Sequence, residues 1–244
     1  MSHLIELRSR LMHAVGAVLV FFVALFIWPG SGYIYDLLAA PLMTALPEGA
    51  KMIATGVITP FMVPVKVTAL VAFMIAVPYV LYQAWAFVAP GLYENEKRLA
   101  VPLIIGSTVL FLCGVAFCYF FVFGKVFAFI QGFAPKSISP MPDIEAYFNF
   151  VLTMFLAFGV TFEIPIVVIV LVRMGLVSLE KLREARPYVV VGAFVVAAVV
   201  TPPDVLSQFM LAVPMCLLYE AGLIMARFIH VPLKEDEKQE QTTT

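Results

Sequence analysis

Charge is scarce in this chain: 15 Lys and Arg and 16 Asp and Glu make up 13% of its 244 residues. A soluble domain carries about 25% charged residues, so a water-facing globule of this length is excluded. Cysteine is sparse as well. Cys113, Cys118 and Cys216 fall in apolar stretches without Cys-x-x-Cys or Cys/His spacing, which argues against a disulfide framework or a metal site. They read as small packing residues. His3, His13 and His230 stand apart from any Cys, Ser or acid in a catalytic pattern, and no glycine-rich phosphate loop occurs. Neither an enzyme nor a cofactor or metal is expected. The chain also lacks an internal repeat or paired broken segments, which weighs against an inverted-repeat transporter.

What is present is apolar: 63% of residues are hydrophobic and the mean hydropathy is +1.02. These values describe an all-α integral membrane protein, since a span needs about 20 apolar residues. Six transmembrane helices are expected, near residues 11–28, 65–88, 99–123, 147–172, 188–201 and 206–226, in one membrane domain over 1–227. The polar tail 228–244 is expected to be disordered.

The formal net charge of −1 identifies no partner by itself, and no nucleic acid is expected. Distribution says more. If the N-terminus is cytoplasmic, Arg8, Arg10, Lys97, Arg98, Arg173, Lys181, Arg183, Arg186, Arg227, Lys234 and Lys238 lie inside. Only Lys51, Lys66, Lys125 and Lys136 then lie outside, which satisfies the positive-inside rule with both termini cytoplasmic. Glu6 within the basic start, and Pro41 after Ala39-Ala40, argue for a retained first helix over a cleaved signal peptide.

Pro29, Gly30 and Gly32 end the first helix, and the outer segment "YIYDLLAAPLMTALP" has helical spacing cut by Pro41 and Pro47. Short amphipathic helices on the outer surface are expected there. The fifth span offers about thirteen residues before "TPPD", roughly 20 Å against a hydrocarbon core of about 30 Å. Helices five and six should therefore form a short hairpin.

Glu163, in "FGVTFEIPIVVIVL", is an acid at bilayer depth. Such placement costs about 2.5 kcal/mol or more on insertion scales and marks function by default; the bland alternative is an acid hydrogen-bonded between helices. Glu6, Glu94 and Glu96 are minority-sign charges on the basic face. Carboxylates there suit a basic ligand, because each can accept a guanidinium in bidentate fashion. Local pairing, Glu6 with Arg10 at i,i+4 and Glu96 with Lys97 or Arg98, is the competing reading. Thr201 and Gln208 flank the hairpin turn as a polar patch or as helix-to-helix hydrogen bonds. Glu220 reads as structural, snorkelling or meeting Arg227.

The stretches "SHLIELRSRL", "APGLYENEKRL", "FGVTFEIP" and "RPYVVVGAFVVAAVVTPPDVLSQ", in that order, resemble the TatC component of the bacterial twin-arginine protein translocase. The resemblance runs from Ser2 to about Arg227. It implies a six-helix protein of the cytoplasmic (inner) membrane, N-in and C-in and cupped around a concave face, with helices five and six short. It implies that the cytoplasmic face receives Arg-Arg signal peptides of folded cargo, that the proton-motive force drives export, and that copies self-associate within the complex. Glu6 and Glu96 match the recognition acids, with Phe87 and Leu92 around them. Glu163 matches an acid of the concave face, Pro41 a sensitive proline of the outer segment, and Thr201 and Gln208 a patch that docks the single-span partners TatB and TatA. The alternative from another class is a proton-coupled small-solute transporter that uses Glu163 as its carrier.

Overall fold

The structure, a computed structural model, describes residues 2–44, 52–88, 100–133, 141–201 and 203–228. It is helical nearly throughout, and an isolated bridge between Ile53 and Asp143 is the extended pairing among the described residues. Helix α1 (Ser2–Leu25) is followed by a break at Phe26–Gly30 and by α2 (Ser31–Met43). At the break Trp28 is extended (φ −150°, ψ 126°) and Gly30 takes φ +96°, a backbone conformation that a Cβ would oppose. Helix α3 (Thr59–Val88) returns toward the N-terminal end. It is followed by α4 (Ala100–Phe117), a widened turn at Cys118–Val122, and α5 (Phe123–Phe133). Helices α6 (Ile144–Phe162) and α7 (Ile164–Arg173) make one further crossing, jointed at Glu163. The short α8 (Leu179–Glu184), α9 (Arg186–Val200) and α10 (Val205–Phe228) complete the described chain.

Five of these passages are long and apolar enough to cross a membrane: Ile5–Met43, Thr59–Phe87, Val101–Ile130, Ile144–Arg173 and Val205–Phe228. The fifteen residues of α9 span only about 22 Å. Helix α10 was expected to be short as well but has 24 residues, about 36 Å, because its apolar run continues through Pro214 to Phe228. The hairpin is therefore asymmetric. Side chains such as Phe120, Val199 and Phe228, each more than 80% exposed, cover the outside with apolar surface suited to lipid.

Lipid gives helices little hydrophobic reason to associate, so close packing and hydrogen bonds must hold them together. Helix α1 lies along α3, α4 along α6, and α10 between α7 and α9. Gly114 of α4 admits the backbone of α6: a Cβ there would stand 2.5 Å from the Phe158 carbonyl oxygen and 2.9 Å from the Phe162 ring. Gly159 lets the Phe111 ring seat on α6, and Gly222 of α10 approaches Pro165 and Val168 of α7. Phe123, Phe148, Phe158, Met154 and Leu211 fill the core between these contacts.

The outer segment was expected to be short helices cut at Pro41, but α2 runs straight through it. Proline has no N–H to offer the carbonyl four residues earlier, that of Leu37. Tyr119 supplies the missing donor: its hydroxyl donates to the Leu37 oxygen at 3.0 Å, and Tyr147 donates to the neighbouring Leu38 oxygen at 3.0 Å. Helix α2 is thereby tied to the α4–α6 layer, with Ile34, Leu38, Ala39 and Leu42 buried. At the same end Asp143 caps α6. Its Oδ1 accepts from the N–H groups of Glu145 (2.9 Å) and Ala146 (3.0 Å), and its Oδ2 from the Thr55 hydroxyl (2.6 Å) and N–H (3.1 Å). The Thr55 hydroxyl, then the Ala146 N–H and the other backbone donors, hold this carboxyl below its ordinary range.

Candidate functional site

Helix alternation brings the start of α1, the end of α3, α8, the start of α9 and the end of α10 to one end of the bundle. Glu6 lies there on α1, one turn before Arg10. The Arg10 guanidinium donates through Nε (3.0 Å) and Nη2 (2.7 Å) to Glu6 Oε1, so the local pairing read from spacing is present. The pair forms one wall of a cleft of about 420 Å³, shared with Ser9 and His13 of α1 and with Tyr79, Tyr82 and Gln83 of α3. Phe87 follows Gln83 by one turn and is half-buried. Leu92, Glu94 and Glu96 lie outside the described residues, as does Lys97. Tyr79, Tyr82 and Gln83 were missed in the sequence because they sit inside an apolar run; their i, i+3, i+4 spacing was the available signal.

Glu163 lies at the joint of α6 and α7, with φ −76° and ψ −14°. Pro165 two residues later cannot donate to the Thr161 carbonyl, which opens the ladder at this point. Ten residues of α7 separate the acid from the end of the passage, about 15 Å, or half the hydrocarbon core. The acid is half-buried and lies near the hydroxyl of Ser107 on α4, itself fully buried. Ser107 Oγ also accepts from the indole N–H of Trp85 on α3 at 3.0 Å. Trp85 of α3 and Ser107 of α4 are thus bonded to each other beside Glu163, so polar groups from three passages gather at this point. Glu163 Oε1 has no partner among the described residues. The sequence pointed to the acid but not to Trp85 or Ser107, which lie 22 residues apart on different helices.

The third polar place is the turn between α9 and α10. Thr201 is buried and ends α9, its hydroxyl donating back to the Ala197 carbonyl at 2.8 Å. Asp204 caps α10, with Oδ1 accepting from the Ser207 N–H at 2.7 Å. Gln208, one turn into α10, is half-buried. Asp204 Oδ2 and the fully buried Ser207 Oγ have no partner among the described residues. A polar patch with spare hydrogen-bonding capacity therefore surrounds Thr201 and Gln208. Asp204 and Ser207 were not anticipated, although an Asp just before an apolar helical run is a capping signal. Glu220, expected near Arg227, pairs with Arg186 at 2.7 Å. No group of three or more His, Cys, Asp or Glu side chains is placed to hold a metal among the described residues.

The family model of the Sec-independent protein translocase protein (TatC) matches residues 2–214. The chain belongs to the TatC family. The Haemophilus influenzae protein named Sec-independent protein translocase protein TatC is 51% identical over 236 residues, covering 97% of this chain and 91% of that one. The Escherichia coli K12 protein of the same name is 48% identical over 227 residues, covering 93% and 87%. A crystal structure of the twin arginine translocase receptor TatC superposes with a TM-score of 0.81 at 37% identity, covering 93% of this chain and 98% of that one. The chain is thus a TatC subunit of the Sec-independent protein translocase and a multi-pass membrane protein, and the role carried by its relatives' names is transport rather than catalysis. All three polar places described above lie within the residues matched by the TatC family, Gln208 included.

Proposed function

We propose that this TatC subunit binds the Arg-Arg signal peptide of folded precursors and nucleates the assembly that exports them across the cytoplasmic membrane, driven by the proton-motive force. The observation that carries the reading is the Glu6 cleft. Its carboxylate already holds a guanidinium, that of Arg10, through two N–H donors, beside tyrosine rings on which a second guanidinium can stack. Glu96 is assigned the second arginine, and Phe87 and Leu92 are assigned to the same peptide site. A related crystal structure is named as the twin arginine translocase receptor, which supports the same role here.

The excess of Lys and Arg at this end of the bundle supports a cytoplasmic placement of both termini. Thr201 and Gln208, in the patch with the unpartnered Asp204 and Ser207 oxygens, are the docking site for the single-span subunits TatB and TatA. A short α9 suits that role, because a partner helix can shield polar atoms that begin below the membrane surface. Glu163, with an oxygen to spare at mid-depth, meets the inserted peptide or a partner helix. Folded cargo cannot pass through one bundle of this size, so TatA supplies the bulk of the passage and copies of this subunit gather in the complex. The small-solute transporter reading has no support among relatives named as protein translocases.

The test is binding of the full chain in detergent to a signal peptide with Arg-Arg, against the same peptide with Lys-Lys and against Glu6→Ala and Glu96→Ala. Selective binding that each substitution weakens at least tenfold is expected. Equal binding of the two peptides, with neither acid mattering, would overturn the receptor assignment.

A further inference from the structure

A second cleft, of about 400 Å³, opens at the same end of the bundle on the side away from α1. It is lined by Arg183 of α8, Arg186 at the start of α9, and Arg227, Leu223, Ile224 and Phe228 of the last two turns of α10. Three guanidinium groups converge on it. Glu220 neutralises one, through Arg186 at 2.7 Å, while no carboxylate among the described residues pairs with Arg183 or Arg227. Among the described residues, two of its three guanidinium groups are thus left without a carboxylate partner. Its frame is firm: the Tyr219 hydroxyl of α10 donates to the Leu182 carbonyl of α8 at 2.6 Å, and Leu182, Tyr219 and Leu223 are buried together.

The rest of the lining is apolar and partly outward-facing. Ile224 is 59% exposed and Phe228 83% exposed, on a helix long enough to cross the membrane. Arginines without a carboxylate partner among the described residues, with the exposed Ile224 one turn before Arg227 on α10, match the boundary where a lipid's charged head meets its acyl chains.

The geometry points to an anionic phospholipid seated in this cleft, its phosphate between the guanidinium groups of Arg183 and Arg227 and an acyl chain descending along Ile224. Arginine suits the phosphate because its planar fork donates two parallel hydrogen bonds to neighbouring oxygens. A free phosphate ion satisfies the arginines equally but leaves the apolar wall without a role, so the lipid is the occupant the two walls share. The lipid would brace α8 and α9 against α10 at the hairpin that carries the Thr201 patch.

Native mass spectrometry of the full chain, released from micelles containing equal amounts of phosphatidylglycerol and phosphatidylcholine with matched acyl chains, tests this. Phosphatidylglycerol is expected to be retained at least fivefold over phosphatidylcholine, and Arg183→Gln with Arg227→Gln to bring the ratio below two. Inorganic phosphate at millimolar concentration should not displace the lipid. Equal retention of the two lipids, an unchanged ratio in the double variant, or displacement by phosphate would each overturn the assignment. The double variant should still bind the Arg-Arg peptide, since the Glu6 cleft lies elsewhere. If it fails to fold, the two single substitutions, each expected to lower the ratio at least twofold, decide the question.

Discussion

Placing an alanine at Gly114 should separate the two helices that carry Ser107 and Glu163. The new Cβ would stand 2.5 Å from the backbone oxygen of Phe158 and 2.9 Å from the Phe162 ring. A ring can rotate away, but a helix carbonyl cannot, so α4 and α6 must move apart. Overpacking of this kind costs about 1–3 kcal/mol, and a backbone obstacle belongs at the upper end. Replacing a mid-helix glycine by alanine returns roughly 0.5–1 kcal/mol of helix propensity. The net expectation for Gly114→Ala is a loss of about 1–2 kcal/mol, or five- to thirtyfold in the folded-to-unfolded ratio. Gly192 of α9 is the control, because a Cβ there meets nothing within 4 Å. Gly192→Ala should be neutral or stabilising by up to about 1 kcal/mol. Unfolding in mixed micelles with rising SDS, followed by tryptophan emission, measures both, since Trp85 reports the α3–α4 contact directly. A Gly114→Ala variant at least as stable as the parent, or one that shifts in step with Gly192→Ala, would refute the packing argument.

Tyr119→Phe strips the donor from the Leu37 carbonyl and should cost about 0.5–1.5 kcal/mol. Pro41→Ala, by restoring a backbone N–H, should shrink that cost in a double-mutant cycle read by the same unfolding assay. Ser107→Ala leaves the Trp85 indole N–H without its acceptor, with a loss of about 1–2 kcal/mol and a shift in tryptophan emission. Asp143 is held below its ordinary range by Thr55 and backbone donors, so its contribution is fully present above the unfolded carboxylate pKa, near 4, and is lost as pH falls through the lower folded value. Asp143→Asn should accordingly be less stable than the parent at pH 7, and a stability titration should show the gap closing below about pH 4. Arg10→Gln removes an internal competitor for Glu6, a half-buried i,i+4 pair worth about 0.3–1 kcal/mol. Affinity for an Arg-Arg peptide should rise two- to fivefold in a calorimetric titration; a fall would mean that Arg10 helps to hold the ligand.

Much of the site was legible along the chain because the features involved are local. Glu163 stands out wherever it falls within an apolar run, and the i,i+4 spacing of Glu6 and Arg10 already predicts the ion pair that forms. Thr201 and Gln208 could be named from the turn they flank. Asp204 and Ser207 carry the same kind of local signal and were overlooked. Other members of the site carry a weaker signal. Gln83 shares a helix face with Tyr79 and Tyr82, but that this face lines the Glu6 cleft follows only from α3 lying against α1.

Hydropathy and charge are properties of short stretches, so the sequence alone determined that the chain crosses a membrane, roughly where it does so, and which residues are anomalous there. Which helix faces which was decided only in three dimensions. The passages are apolar on nearly all sides, and lipid does not distinguish one apolar face from another, so amphipathic periodicity cannot report the partner. Contact is settled instead by where a glycine admits a backbone and where a polar atom finds its complement. Those pairings join residues far apart in the chain: Tyr119 with Leu37, 82 residues away, and Tyr147 with Leu38, 109 residues away. The meeting of Trp85 with Ser107 beside Glu163, and of Arg183 with Arg227, exists only because the helices close on one another at those points.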